Sequence, residues 1–364
     1  MTEGGDSPGR RRPRYAGTHP RTFAEKYKER DPERFPELRE KVLAAGKTPA
    51  GTHVPILVAE VLEILAPRQG EIALDATLGW GGHAEAILPR LRPGGRLIGL
   101  DVDPVELPRT EARLRAKGFG EDVFLARRSN FAGLPKVLAK EGLDTVDIVL
   151  ADLGASSMQL DDPSRGFSYK RDGPLDLRMN PARGIPAGEA LQRIEENLLR
   201  KVLSEGADEP HAERIAQAIA EAVRGARTSH HLLSTLDLAR AVKSAGETSA
   251  SRKQSKESLD ASLDASLEGS LARTFQALRI LVNEEFTALE TFLRVLPSCL
   301  APGGRVAILT FHSGEDRRVK KAFQAGEKAG VYAHIARDVI RPAAEERHVN
   351  PRSTAAKLRW AVRA

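Results

Sequence analysis

The sequence contains one cysteine, Cys299, among its 364 residues. A lone thiol closes no internal disulfide, and a thiolate zinc site needs more ligands than it offers. The chain therefore suits a reducing compartment, and a cytoplasmic location is expected. No run of about twenty apolar residues occurs, so no membrane span is expected. The Arg-rich N-terminus lacks the apolar segment of a secretory signal.

What is present is enough to build one full α/β domain and a smaller unit. Apolar residues make up 41% of the chain and charged residues 29%. The formal net charge is +6 and the pI about 9.4. The basic excess is dense near the N-terminus, at Arg10, Arg11, Arg12, Arg14, Arg21, Lys26, Lys28 and Arg30. Such a cluster suits either a phosphate-rich partner or a solubilising tail. Residues 1–50 read as a basic extension, its first twenty or so disordered, with one or two short helices between Phe23 and Leu43.

From His53 the texture changes. Pro55–Leu65 has helical apolar spacing, and Ala84–Leu91 reads as a second helix. Short apolar runs at Glu71–Asp75, Arg96–Leu100, Asp122–Ala126 and Asp147–Ala151 read as strands. Strands alternating with helices imply a parallel sheet with crossover helices. After Asp162 come a Pro/Gly/Arg-rich loop and helices at Ala187–Val202, Ala212–Val223 and Thr235–Lys243, which read as an insertion. Residues 244–272 are compositionally biased. They hold a near-repeat with Leu259, Leu263, Leu267 and Leu271 on one ridge, and read as a solvated helix or a disordered linker. From Arg273 the α/β texture returns, with a long helix over Phe275–Leu296, a turn at Pro302-Gly303-Gly304, and strands at Arg305–Thr310 and Ala356–Val362. The expected division is 1–50 extension, 51–159 with 273–364 as the core, and 160–272 as a helical insertion.

The chemistry gathers at strand ends. Asp75 is followed by the Gly-rich turn Leu78-Gly79-Trp80-Gly81-Gly82-His83, where glycines allow close backbone approach to a ligand. The next strand ends in Asp101-Val102-Asp103-Pro104, and an acid there can accept bonds from both ribose hydroxyls. The spacing Gly79-x-Gly81-x-x-Ala84 also fits a dinucleotide fingerprint, so S-adenosylmethionine and a dinucleotide both remain open on these residues. Asp75 before the loop favours the former, since it can approach a positively charged methionine end. A third strand ends in Asp152, followed by Leu153-Gly154-Ala155-Ser156-Ser157-Met158-Gln159. In an open parallel sheet Asp75, Asp101 and Asp152 would converge on one crevice; any one alone would more often be a helix cap.

Methyl transfer from a sulfonium asks mainly for positioning and charge stabilisation. Methylating a pyrimidine ring carbon needs a cysteine nucleophile. Cys299 lies in a helix-to-strand connection and reads as a small core residue. An exocyclic amine needs only an acceptor to orient it and draw off a proton, which Asp152 can supply to an unpaired or flipped base.

These residues resemble the bacterial family of small-subunit ribosomal RNA cytosine-N4 methyltransferases. The runs that carry the resemblance are Asp75–His83, Asp101–Pro104, Asp152–Asp162, Gly166-Phe167-Ser168, Asp172–Met179, Arg273–Arg279 with Val282-Asn283-x-Glu285, Phe311-His312-Ser313-x-Glu315-Asp316-Arg317, and Asn350-Pro351-Arg352-Ser353 with Lys357-Leu358-Arg359. The resemblance extends from His53 to near the C-terminus. It implies a class I (Rossmann-like) S-adenosylmethionine-dependent methyltransferase with an inserted helical domain. It implies cofactor contacts at Gly81, Gly82, His83, Asp101, Phe131, Asp152 and Gln159, with no metal. The implied substrate is a decoding-region cytidine, methylated at N4 in the assembled small subunit. Asp152 is the candidate for holding the amine, and Asp172–Met179 for lining the target pocket. His312 is either a proton acceptor or a structural histidine, and Arg279 and Asn283 are candidates for bracing.

The sequence departs from the family pattern in its N-terminal extension, at Gly206-Ala207-Asp208-Glu209-Pro210-His211, in the Ser/Leu/Asp repeat before Arg273, and at Gly314. These departures leave two other readings in view. One is a ribosome-binding assembly factor that keeps the fold without the activity. The other is a methyltransferase retargeted to another RNA or to a protein.

Overall fold

The computed structural model describes residues 55–229, 231–246 and 256–364. The expectations for residues 1–50 lie outside the described residues, as does part of the biased segment. Among the described residues no helix is long and apolar enough to cross a membrane.

Seven strands form one sheet: β1 (Ile72–Asp75), β2 (Arg96–Asp101), β3 (Phe124–Arg128), β4 (Val146–Asp152), β5 (Leu300–Thr310), β6 (Tyr332–Ile335) and β7 (Lys357–Arg363). Their order is β3-β2-β1-β4-β5-β7-β6. The first five are parallel and β7 is antiparallel to both its neighbours. Order reverses between β1 and β4, where β2 and β3 lie to one side and β4 and β5 to the other. The expected class I methyltransferase fold is the one observed.

Alternation along the strands sends successive side chains into two separate cores. Leu74, Ile98, Leu100, Val149, Ala151, Val306 and Ile308 face one side. There they meet α4 (Leu134–Lys140), α11 (Glu285–Cys299) and α12 (Ser313–Lys328). Ala73, Leu97, Ile148, Leu150, Ala307 and Leu309 face the other. There they meet α1 (Val58–Leu65), α2 (Gly82–Leu91) and α3 (Glu106–Ala116). Cys299 is buried in the first core.

Between β4 and β5 come the short α5 (Ser157–Asp161), then α6 (Ala187–Arg193), α7 (Glu196–Ala207), α8 (Ala212–Thr228), α9 (Thr235–Gly246) and α10 (Lys256–Asn283). Phe167, Leu175, Leu177, Leu203, Ile219, Leu238, Leu271 and Phe275 belong to a third cluster of buried residues. A short α13 (Ala344–Val349) precedes β7.

Several boundaries differ from expectation for local reasons. Ala187–Val202 is two helices, because the chain is extended at Ile194 and Glu195. The long helix over Phe275–Leu296 is interrupted at Glu284, whose φ is 51°. The turn at Pro302–Gly304 lies inside β5, where the register with β4 shifts and Gly303 takes φ 74°. Of the two readings of the biased segment, solvated helix or disordered linker, its described part from 256 is helix. From 256 it is continuous with α10, which runs through 272 and 273, and Leu271 is buried. The departure at 206–211 also has a structural use. Asp208, with φ 50°, binds the Arg317 guanidinium at 3.0 and 3.0 Å and accepts from Ser313. Buried Glu209 pairs with Arg273 at 2.6 Å. These contacts tie the end of α7 to α12 and to α10.

Candidate active site

Carboxylates close the carboxyl ends of β1, β2 and β4, where the strand order reverses and open α/β sheets bind ligands. Asp75 is buried and accepts the backbone N–H of Thr77 at 3.1 Å. Asp101 accepts from Gly79 N–H at 2.8 Å and from Asp103 N–H at 2.8 Å, one on each oxygen. The Thr77 hydroxyl accepts from the backbone N–H of Asp152 at 2.6 Å and stitches the end of β1 to that of β4. Asp152 Oδ1 is buried with no hydrogen-bond partner among the described residues. Its Oδ2 lies 3.7 Å from His83 Nδ1.

The sequence forces this shape locally. Gly81 sits at φ 75° before α2, and a Cβ there would lie 2.9 Å from the Thr110 side chain. Gly82 approaches Pro55 equally closely. The His83 ring is buried, and its Nε2–H donates to the Ile56 carbonyl at 2.9 Å. That bond leaves Nδ1 unprotonated toward Asp152.

Burial raises all three acids. Asp75 and Asp152 are pushed up to about 7, and Asp101 to about 6. Desolvation is the main cause in each. The neighbouring carboxylates of Asp152 and Asp101 add to it at Asp75, and that of Glu315 at Asp152. His83 is lowered by burial, which favours the neutral ring. One buried and two largely buried acids, with no charged cation at Asp152 among the described residues, make a site suited to a positively charged ligand.

The chain matches the model of the MraW methylase family over residues 50–364. It is 47% identical to the ribosomal RNA small subunit methyltransferase H 1 of Lachnoclostridium phytofermentans, over 100% of this chain and 95% of the relative. It is 46% identical to the methyltransferase H 2 of Alkaliphilus metalliredigens, over 97% of each. The chain belongs to the MraW methylase family.

With the family, the expectation of S-adenosylmethionine as cofactor stands. The N-terminal extension is not peculiar to this methylase, since the match to the Lachnoclostridium relative takes in the whole chain. A methyltransferase H from an Anaeromyxobacter strain, 42% identical, is matched by 84% of this chain over 96% of its own length.

The remaining expected residues of this methylase fall near the crevice in different ways. Phe131 begins a turn just after β3 and packs edge-on to Phe292, ring centres 5.4 Å apart. Gln159 is buried. Its Oε1 accepts from Ser156 N–H at 3.0 Å and its amide donates to Asp103 at 2.9 Å. His312 lies before α12, with Nε2 3.2 Å from Glu315 Oε1 and the ring tilted against Phe286. Glu285, His312 and Glu315 bring donor atoms within 4.8 Å of one another. However, Arg279 already grips Glu285 through two bonds of 2.8 and 2.9 Å, so the cluster reads as an ion-pair network.

Two structural relationships in this methylase escaped the sequence reading. Asn283 is one, and what it braces is a loop. Its amide donates to the Leu177 carbonyl at 2.7 Å and its Oδ1 accepts from Met179 N–H at 2.7 Å, fixing the Asp172–Met179 loop to the end of α10. Asp103 is the second. Nearly fully buried, it receives both Gln159 and Arg165. Asp103 stood inside a quoted run, but nothing local signals a partner 62 residues away.

Proposed function

We propose that this methylase transfers a methyl group from S-adenosylmethionine to the exocyclic N4 of a cytidine in the decoding region of small-subunit ribosomal RNA, acting on the assembled subunit. The relatives' names support the coarser statement, a small-subunit ribosomal RNA methyltransferase. The observation that carries the finer one is Asp152. Its buried Oδ1 has no donor among the described residues, at the strand end where a ligand sits. An amine supplies a donor for that acceptor, and a ring carbon does not.

The lone cysteine argues the same way. Cys299 precedes Leu300, which pairs with Val146 at the far end of β4 from Asp152. Six residues of strand separate them by about 20 Å. No thiol can therefore activate a ring carbon beside Asp152.

The cofactor, when bound, supplies an electrophilic methyl on a sulfonium. Asp101 would accept from the ribose hydroxyls, Gly81, Gly82 and His83 would shape the turn beneath it, and Phe131 and Gln159 would border it. Asp75 and Asp152 favour the positive charge. Asp152 orients the amine and lowers the cost of losing its proton. The 160–272 insertion and the Asp172–Met179 loop would face the RNA.

Nucleoside mass analysis of small subunits lacking this modification, before and after incubation with the protein and labelled S-adenosylmethionine, tests this. One new N4-methylcytidine is expected. Label in another nucleoside, or none despite bound cofactor, would overturn the assignment.

A further inference from the structure

The carboxylate proposed to hold the ribose and the loop proposed to line the target pocket are physically joined. Asp103 N–H donates to Asp101 Oδ1 at 2.8 Å. The Asp103 side chain then divides its work. Its Oδ1 caps α3, accepting from Val105 and Glu106 N–H at 2.9 and 3.3 Å. Its Oδ2 accepts from Arg165 Nη1 at 2.9 Å. The other arm of that guanidinium, Nη2, donates to the carbonyls of Arg178 and Met179 at 3.1 and 2.9 Å. One planar side chain thus spans from the turn after β2 to the end of the Asp172–Met179 loop.

The surroundings make this bridge difficult to replace. Asp103 is 1% exposed and the Arg165 side chain 13%. A carboxylate so buried needs a cation, and Arg165 is the one that pairs with it. The backbone is equally committed. Leu177 N–H donates to the Arg165 carbonyl at 3.1 Å. A Cβ on Gly166 would lie 2.3 Å from the Pro174 carbonyl oxygen, so the two loop strands lie in direct backbone contact. Leu177 itself is held at φ 63°.

We propose that Arg165 is a positioning residue that carries cofactor occupancy at Asp101 into the order of the Asp172–Met179 loop. The proposal rests on the reading of Asp101 as the ribose ligand. Ribose hydroxyls on Asp101 fix its carboxylate and with it the Asp101–Asp103 turn. A fixed Asp103 fixes the guanidinium, and the guanidinium fixes two loop carbonyls. RNA then meets a loop already arranged, with less ordering entropy to lose on binding.

The test is amide hydrogen exchange across the loop of the full chain, with and without S-adenosylhomocysteine. In the wild type the compound should slow exchange at Leu177 and Met179 by about fivefold or more, the lower range of ordinary site coupling. Arg165→Met should bind the compound but lose the slowing. Arg165→Lys keeps a charge opposite Asp103 but lacks the planar fork that reaches both carbonyls. It should also lose the slowing, and it serves if the Met variant fails to fold. A KM for RNA that rises in Arg165→Lys with kcat little changed would agree. Binding without slowing in the wild type, or slowing that survives in Arg165→Lys, overturns the relay alone. No binding of the compound to the wild type overturns the cofactor reading as well.

Discussion

Asp101 at the end of β2 accepts the backbone N–H of Gly79 at 2.8 Å, across 22 residues of chain. The glycine turn after β1 is therefore held by the same carboxylate that is proposed to take the ribose. On that proposal, cofactor recognition and turn geometry depend on one side chain, so its loss would act on both.

Asp101→Ala should weaken cofactor binding by more than a ribose contact alone. A hydrogen bond to a charged group contributes about 1.5–3 kcal/mol, equivalent to roughly ten- to a hundredfold in affinity. Titration calorimetry with S-adenosylhomocysteine reads this directly. Asp101→Asn, which keeps one acceptor oxygen, should fall between the two. Affinity unchanged in Asp101→Ala would take Asp101 out of the site.

The contribution of Asp75, Asp101 and Asp152 to the stability of the cofactor-free chain should fall as pH rises from 4 to 8, against the opposite contribution of His83, which burial lowers. Asp75 and Asp152 stand near 7 and Asp101 near 6 in the folded chain, all above the ordinary value of 3.8. A raised carboxyl favours the folded state while protonated. That contribution is fully present below the ordinary value and is lost as pH passes through the folded values. Cofactor affinity should move the other way, rising between pH 5.5 and 8 as the acids ionise toward a cationic ligand. Asp152→Asn should melt higher than wild type at pH 8 without cofactor, with the difference gone at pH 4. A melting profile parallel to wild type would show that Asp152 does not titrate there.

Much of the core was legible because its signals are local. β1, β2 and β4 are apolar runs that each end in aspartate, and their ends mark the crevice. β3 begins two residues later than expected because Val123 N–H and Phe124 N–H both turn back to the Gly120 carbonyl. β6 gave no signal: it is a four-residue edge strand buried only at its two ends, Tyr332 and Ile335. The site divides in the same way. Asp75, Asp101 and Asp152 stand in recognisable runs. The partners Arg165 and Asn283 act over separations of 62 and 106 residues, where only the fold brings them near.

Asn283→Ala should loosen the Asp172–Met179 loop more than it destabilises the fold. It strips the Leu177 carbonyl of its donor and Met179 N–H of its acceptor. An unsatisfied buried polar group costs about 1–3 kcal/mol, and here the cost falls on a segment where Leu177 already has a positive φ. Limited proteolysis should cut near 177–180 faster, while the melting temperature shifts little. An unchanged cleavage rate would show that the loop is held by other contacts.

Removing residues 1–45 should weaken binding to ribosomal particles chiefly at low salt. The segment carries the Arg10–Arg14 cluster with Arg21, Lys26, Lys28 and Arg30. Each phosphate neutralised releases a counterion and steepens the salt dependence. The slope of log affinity against log salt should become shallower in the truncated chain. Parallel slopes would make the segment a bystander in RNA binding.

Arg279→Ala should be among the most damaging single changes, because it breaks a pair from one side only. The Arg279 and Glu285 side chains are 14% and 11% exposed and share two bonds across the break between α10 and α11. Removing the cation leaves Glu285 largely buried beside Glu315, an arrangement that costs about 3–5 kcal/mol. Arg279→Ala combined with Glu285→Ala removes both charges and should recover much of that loss. Chemical denaturation of the two variants separates the explanations. Recovery in the double variant locates the damage in the uncompensated carboxylate. Equal loss in both would place it in the packing that the arginine stem provides at the base of the Asn283 clamp.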